Sequence, residues 1–382
     1  MNARPTILVA GGGTGGHVFP GLAVADALRS IADVRVLFVG TPRGLESRVV
    51  PQYGYDLELL DVQPMKGGGA ARAVKGALVA ARETLRALAL VRRTKPRAVL
   101  SVGGYAAGPV SLAAAMLGVK LAVLEPNSVV GFANRLLSPL ARRAYVAWAD
   151  ARGAFREGRA RVVGVPLRPG FVPQPYVAKP GAARVLVMGG SQGAQALNER
   201  LPHAIARAKE SIPALEVLHQ AGRERDGAVR DEYAREHVNA EVTAFLDDVP
   251  REIALADVVV ARAGAVTVAE IASIGRASIL IPFPHAADDH QAKNADSLAR
   301  EGAAVAVRQE SADAVRIADE LVRLLQDSEL RTRMASRARE HGRPGAAMEI
   351  ARDLLDLAGI PPSPPKPRHV NGTGAPVRSE AR

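Results

Sequence analysis

The chain has 382 residues, 48% of them hydrophobic, which is long for one domain and enough for two cores. It carries a formal charge of +11, placed unevenly: 23 Lys and Arg face 10 Asp and Glu in residues 1–168, against 23 and 28 in residues 169–360. The absence of cysteine excludes disulfides, thiolate metal sites and cysteine nucleophiles, and one Trp with few Tyr and Phe leaves little for base stacking, so no nucleic-acid partner is expected.

The N-terminus runs directly into an apolar segment, Thr6–Ala10, so no signal peptide is expected. Gly11 to Pro20 follows, and then apolar residues recur at helical spacing at Val18, Leu22, Ala25 and Leu28. Further strands are predicted at 34–40, 57–61, 97–102, 119–124 and 143–147, with helical patterns between them. Such alternation predicts a parallel sheet with helices on both faces. Residues 66–97 hold nine Lys or Arg and one acid, Glu83. Val74, Leu78, Ala81, Leu85 and Leu88 form a stripe there that is expected to face the core. Its basic flank suits an anionic membrane surface. The uncharged run 98–119 is broken at Gly103 to Pro109 and reads as strand, turn and helix rather than a membrane span. A boundary is expected at Gly164 to Pro169, with proline-rich sequence to Pro180. The plan then restarts. A strand at 184–188, a glycine turn at 189–194 and a helix at 195–209 precede strands at 215–220, 241–245, 257–261, 277–281 and 303–307. Residues 312–357 read as helical, and those after Gly359 as disordered. The expected fold is α/β, with two parallel-sheet domains facing a cleft.

Four glycine-rich turns follow predicted strands. Gly11, Gly13 and Gly16 satisfy G-x-G-x-x-G, which suggests a dinucleotide site. That pattern needs an acid at the end of the second strand to hold a ribose. Here Thr41 and Pro42 stand there and the first acid is Glu46, so the loop is read as a site for another anion. His17, at the helix start, can cap or pack, or accept a proton. Gly103-Gly104-Tyr105 makes a second turn at the same sheet edge, where Glu125, Pro126 and Asn127 also belong. Two such turns beside a basic surface suit a diphosphate. In the second half, Gly189 to Gly193 is another anion-ready turn. Arg262 to Glu270 joins a turn, a helix start and a carboxylate able to accept two ribose hydroxyls. Asp288, Asp289 and His290 lack convincing metal-ligand spacing, so no metal is expected.

Five segments together resemble the MurG family of glycosyltransferases. They are Gly12 to Gly21, Gly103 to Tyr105, Gly189 to Ala194, His219 to Gly222 (His-Gln-Ala-Gly) and Asp289 to Asn294. The resemblance spans Thr6 to Leu357. It implies a GT-B fold: two doubly wound Rossmann-like parallel-sheet domains, with a C-terminal helix crossing back to the first. The implied boundaries are 1–163 for the acceptor and membrane-facing domain, 164–180 for the linker and 181–340 for the UDP-GlcNAc domain. A crossover helix at 341–358 and a tail at 359–382 follow. The family activity is inverting, metal-independent transfer of N-acetylglucosamine (GlcNAc) from UDP-GlcNAc to the C4 hydroxyl of undecaprenyl-diphosphate-linked MurNAc-pentapeptide. No cofactor is implied. The resemblance places the protein on the cytoplasmic face of the inner membrane, with the anionic bilayer and cell-wall synthesis proteins as partners.

By the same analogy Glu270 holds the ribose, the backbone of Ala265, Val266, Thr267 and Val268 lies near the diphosphate, and Leu246 touches uracil. Ser191 and Arg168 meet the donor phosphates or sugar, and Gln291 the sugar hydroxyls. Thr14, Gly15, Gly16 and Asn127 close over the sugar. That loop and the turn Gly103, Gly104 and Tyr105 receive the acceptor diphosphate. His17 and Glu125 are the candidate bases, with His17 preferred. Val165, Pro126 and Ala263 depart from the family pattern. Other readings are a different GT-B glycosyltransferase, a UDP-GlcNAc epimerase, or a sugar-nucleotide-binding protein without catalysis.

Overall fold

The computed structural model describes residues 4–62, 70–178, 183–190 and 193–363. In the first half β1 (Thr6–Gly11) leads through the glycine loop to α1 (Gly15–Ile31). Then come β2 (Arg35–Gly40), α2 (Glu46–Gln52), β3 (Asp56–Leu59), α3 (Ala70–Thr94), β4 (Ala98–Gly103) and α4 (Ala107–Met116). β5 (Lys120–Glu125), α5 (Phe132–Leu137), β6 (Arg143–Val146) and β7 (Ala160–Val162) complete it. In the second half β8 (Ala183–Met188), α6 (Gln195–Ser211), β9 (Leu215–Gln220), α7 (Asp226–Arg235) and β10 (Glu241–Thr243) are followed by α8 (Val249–Leu255) and β11 (Val258–Ala261). α9 (Ala265–Ile274), β12 (Ala277–Leu280), α10 (His290–Arg300) and β13 (Val305–Ala306) come next, then α11 (Ala314–Gln326), α12 (Ser328–His341) and α13 (Ala346–Ala358).

Among the described residues the strands form two all-parallel sheets, ordered β3-β2-β1-β4-β5-β6-β7 and β10-β9-β8-β11-β12-β13. Both orders reverse beside their first strand, at β1/β4 and at β8/β11. Helices leave in opposite directions at such a point and open a crevice at the carboxyl ends of the strands. The four glycine turns follow β1, β4, β8 and β11. The topology therefore explains why segments far apart in sequence share one cleft.

The first core joins β1, β2 and β4 to α1 through Ile7, Val9, Leu22, Leu28, Phe38 and Leu100. Ile350, Leu354 and Leu355 of α13 belong to the same core. Asp353 ties α13 to the sheet edge: it accepts a hydrogen bond from the Tyr145 hydroxyl at 2.8 Å and pairs with Arg143 and Arg161. The Lys120 ammonium donates to the Leu357 carbonyl at 2.7 Å, at the C-terminal end of α13, where a cation is favoured.

The structure differs from expectation in α3. Ala87, Leu88, Leu90 and Val91 are buried there, whereas Ala81 and Leu85 face outward, Leu85 at 67% exposure. Glu83 turns inward instead; its carboxylate accepts from the Asp61 N–H at 3.2 Å and pairs with Arg86. That burial is tolerable because the charge keeps partners. Two short edge strands also differ. β7 was not expected, and β13 is only two residues long. The helical region ends in three pieces, stopped at Asp327, which caps α12, and again at 342–345. Of the tail, only residues up to 363 lie within the described structure.

Candidate active site

The two glycine turns of the first half interlock. The Gly12 N–H donates to the Gly103 carbonyl at 3.1 Å. A methyl group added to Gly11 would lie 2.0 Å from that oxygen, and one on Gly104 would lie 2.2 Å from the Gly12 carbonyl oxygen. No side chain fits between the two backbones. Thr14 takes the N-cap position of α1 without a side-chain cap, which leaves the amides of Gly15 and Gly16 open at a helix start. Tyr105 is 47% exposed beyond the turn.

His17 stands between the turns. A methyl on Gly103 would lie 2.8 Å from its Cε1, so glycine makes room for the ring. Its Nδ1 faces the backbone of residues 102–103 and finds no well-formed hydrogen bond among the described residues. Burial lowers the proton affinity of His17, and His290 from the other half lowers it further. Glu125, the Val102 carbonyl and Glu46 oppose this without reversing it. The balance favours the neutral imidazole, the form in which a base acts.

Glu125 is buried at the end of β5. Its Oε1 accepts from the Asn127 N–H at 3.0 Å and the Asn127 side-chain amide at 3.1 Å; its Oε2 accepts from the Gly131 N–H at 2.9 Å and Asn134 at 3.0 Å. Asn134 also donates to the Leu124 carbonyl and accepts from the Ser101 hydroxyl. With four donors the carboxylate organises residues 127–134 and has little capacity left for a substrate proton. Pro126 precedes this loop and is buried.

In the second half Gly264 caps α9, again without a side-chain cap. Among the described residues the amides of Ala265, Val266 and Thr267 remain open, whereas the Val268 N–H is spent on the Gly264 carbonyl at 2.9 Å. Glu270 is buried on α9 and makes no hydrogen bond to another described residue. Burial raises its pKa to about 7, although Arg168 pulls it down. Arg168 lies on the linker at the meeting of the halves. Its guanidinium sits 5.2 Å from the Phe19 ring centre and 3.4 Å from the Tyr53 hydroxyl. Arg168 and Leu246 line one cavity of about 660 Å³ with Phe171 and Asp248. Gln291 accepts from the Phe283 N–H at 3.0 Å at the head of α10. Arg262 is bound to the Ile281 and Pro282 carbonyls and to Gln309, so it holds loops together. Asp289 pairs with Arg308, and the His290 Nδ1 is hydrogen-bonded to the Ala287 carbonyl. Ser191 lies outside the described residues.

The halves touch through Asn294, a fully buried residue of α10. Its Oδ1 accepts from the Ser128 N–H at 3.0 Å, and its Nδ2 donates to the Ala263 carbonyl at 3.2 Å and toward Asn127 at 3.4 Å. The departure at Ala263 leaves this backbone contact in place. Val165 is buried in a second-half core with Phe171, Leu186, Val259 and Ile271. Sequence reasoning assigned no role to Asn294, Asn134 or Glu46. Asn294 closes a quoted motif, and its separation from Gln291 by three residues, one helix turn, was the signal.

The family models for the glycosyltransferase family 28 N-terminal and C-terminal domains match residues 7–146 and 184–350. A relative in Sorangium cellulosum (strain So ce56), "UDP-N-acetylglucosamine--N-acetylmuramyl-(pentapeptide) pyrophosphoryl-undecaprenol N-acetylglucosamine transferase", is 53% identical over 93% of this chain and 89% of its own length. A relative of the same name in Acidithiobacillus ferrooxidans (strain ATCC 53993 / BNL-5-31) is 44% identical over 93% of this chain and 98% of its own. The crystal structure of Acinetobacter baumannii MurG superposes with a TM-score of 0.77 at 31% identity, covering 92% of this chain and 99% of that one. With both halves matched in order, the chain belongs to glycosyltransferase family 28, within its MurG family.

Proposed function

We propose that this enzyme transfers GlcNAc from UDP-GlcNAc to lipid-linked MurNAc-pentapeptide in peptidoglycan synthesis. Relatives up to 53% identical carry this activity in their names. The observation that carries the reading here is the pairing, at one cleft, of an interlocked double glycine turn holding His17 with an uncapped helix start beside Glu270, which makes no hydrogen bond to another described residue.

The donor binds the second half. Glu270 accepts the ribose hydroxyls, the open amides of α9 take the diphosphate, Leu246 meets uracil and Gln291 the sugar. Thr14, Gly15, Gly16 and Asn127 close from the other side. The acceptor diphosphate rests on the amides of the α1 loop and the turn Gly103 to Tyr105. His17 takes the proton of the acceptor C4 hydroxyl as its oxygen attacks the anomeric carbon. The bond to UDP breaks on the opposite face and the configuration inverts. The departing diphosphate gains negative charge, which the α9 amides and Arg168 stabilise without a metal. Glu125 serves by shaping the Asn127 loop.

The lipid end of the acceptor stays in the bilayer, so the enzyme docks there. The exposed apolar residues Leu85, Leu112, Met116, Phe132 and Leu136 lie on α3, α4 and α5, which pack side by side, with Arg82, Arg86 and Arg135 on the same helices. No helix among the described residues is long and apolar enough to cross a membrane. The test is transfer of label from UDP-[14C]GlcNAc to a lipid-diphosphate-MurNAc-pentapeptide. Absence of labelled lipid, with the acceptor recovered intact, would refute the reading.

A further inference from the structure

Glu46 is the acid that stood in the wrong place for a ribose. It is 1% exposed, at the first residue of α2, and its carboxylate reaches back under the first glycine loop. Oε2 accepts from the Gly13 N–H at 2.6 Å, and Oε1 accepts from the Thr41 N–H at 2.8 Å and the Thr41 hydroxyl at 3.0 Å. Three glycines form its socket. A methyl on Gly12 would lie 2.2 Å from Cδ, one on Gly40 2.3 Å from Cγ, and one on Gly44 2.1 Å from Oε2. The Leu45 N–H also donates to the Gly13 carbonyl at 3.3 Å, so the start of α2 grips this peptide on both sides.

By charge alone a carboxylate is a poor neighbour for an anion-binding loop. Its value here is geometric. Two oxygens fan apart, one to Gly13 and one to Thr41, and a buried acceptor of this kind fixes whatever donates to it. Turning the Gly13 N–H inward fixes a left-handed backbone at that residue, with φ of 96°. The amides that follow, at Thr14, Gly15 and Gly16, are then directed to the open side. We infer that Glu46 is a positioning residue for the acceptor diphosphate, holding the loop in the shape that presents those amides, and that it has no part in binding the UDP moiety of the donor. The inference rests on the functional reading above and deepens it.

The amide of Glu46→Gln cannot serve both sides. With its oxygen toward Thr41, its NH2 faces the Gly13 N–H, donor against donor. Gly44→Ala reaches the same end by displacing the carboxylate. Thr41→Val keeps both amide contacts and isolates the hydroxyl. Binding of farnesyl diphosphate is measured calorimetrically with UDP already saturating its own site, and UDP binding is measured separately. Loss of one charge-assisted hydrogen bond predicts about tenfold weaker farnesyl diphosphate binding for Glu46→Gln and Gly44→Ala, a smaller loss for Thr41→Val, and unchanged UDP affinity. In turnover the acceptor KM rises by more than the UDP-GlcNAc KM, because the UDP moiety is held by the second half. Unchanged farnesyl diphosphate affinity in a variant that still binds UDP overturns the inference, as does parallel loss of both ligands in Gly44→Ala and Thr41→Val. Wild-type protein that binds farnesyl diphosphate yet transfers no sugar would refute the functional reading and leave the loop assignment standing.

Discussion

At the scale of single residues, His17 and Glu270 are opposite cases of one effect. Burial disfavours charge in both, so the histidine loses its proton and the carboxyl tends to keep one. His17→Ala should lower kcat by about 100- to 10,000-fold, the range for general-base loss, with UDP affinity within about twofold of wild type. Single-turnover kinetics beside UDP titration would check this. The sign for Glu270 follows from linkage. Its folded pKa, about 7, lies above the ordinary value of 4.5, so the folded state binds the extra proton between those values and stability falls as pH rises through that window. Glu270→Gln should therefore raise the melting temperature at pH 8, by a stabilisation on the order of 1–3 kcal/mol, while weakening UDP-GlcNAc binding. Donor affinity in wild type should also decline below about pH 7, where the carboxyl is protonated. The sequence showed these two residues because each sits in a motif with a chemical need. It did not show Glu46 as a brace, because two of its three partners are the backbone N–H groups of Gly13 and Thr41, which carry no side-chain signature, and the Thr41 hydroxyl alone marks no motif.

At the scale of elements, the informative contact is turn against turn. Gly104→Ala places a methyl 2.2 Å from a backbone oxygen, at a φ of 86° that disfavours any side chain. The two loops cannot both hold their places. We expect destabilisation of roughly 2–4 kcal/mol by denaturant unfolding and loss of acceptor turnover, with UDP binding retained in whatever protein remains folded. Elements with strong patterns were legible: both first strands, the glycine turns and the helices after them. α3 was not, because its apolar residues allow two phases on the helix and the sequence does not say that Glu83 finds an amide and Arg86. β13 was overestimated because its apolar run 303–307 is buried largely as loop rather than as paired strand.

At the scale of the whole molecule, alternation of strands and helices announced two sheets, but nothing local announced how the last helix is held. Asp353 gathers Tyr145 and Arg143 from β6 and Arg161 from β7. Asp353→Ala should cost about 2–3 kcal/mol, less than a fully buried pair because the Arg161 side chain is 49% exposed, with urea unfolding as the measure. The membrane reading is tested by Phe132→Glu with Leu136→Glu, which should release the protein from anionic vesicles while leaving UDP affinity intact. The fastening of α13 has one more consequence. The chain leaves the first half at Gly164 and returns at Arg343, and a methyl on Gly164 would lie 2.4 Å from the Arg343 Cβ. The exit and the return are neighbours. In genetic terms, the second half is a cassette inserted into the first between β7 and α13. Cut at those two residues, the cassette has ends that already meet, so it can be cyclised or transplanted into a related first half with no spanning linker.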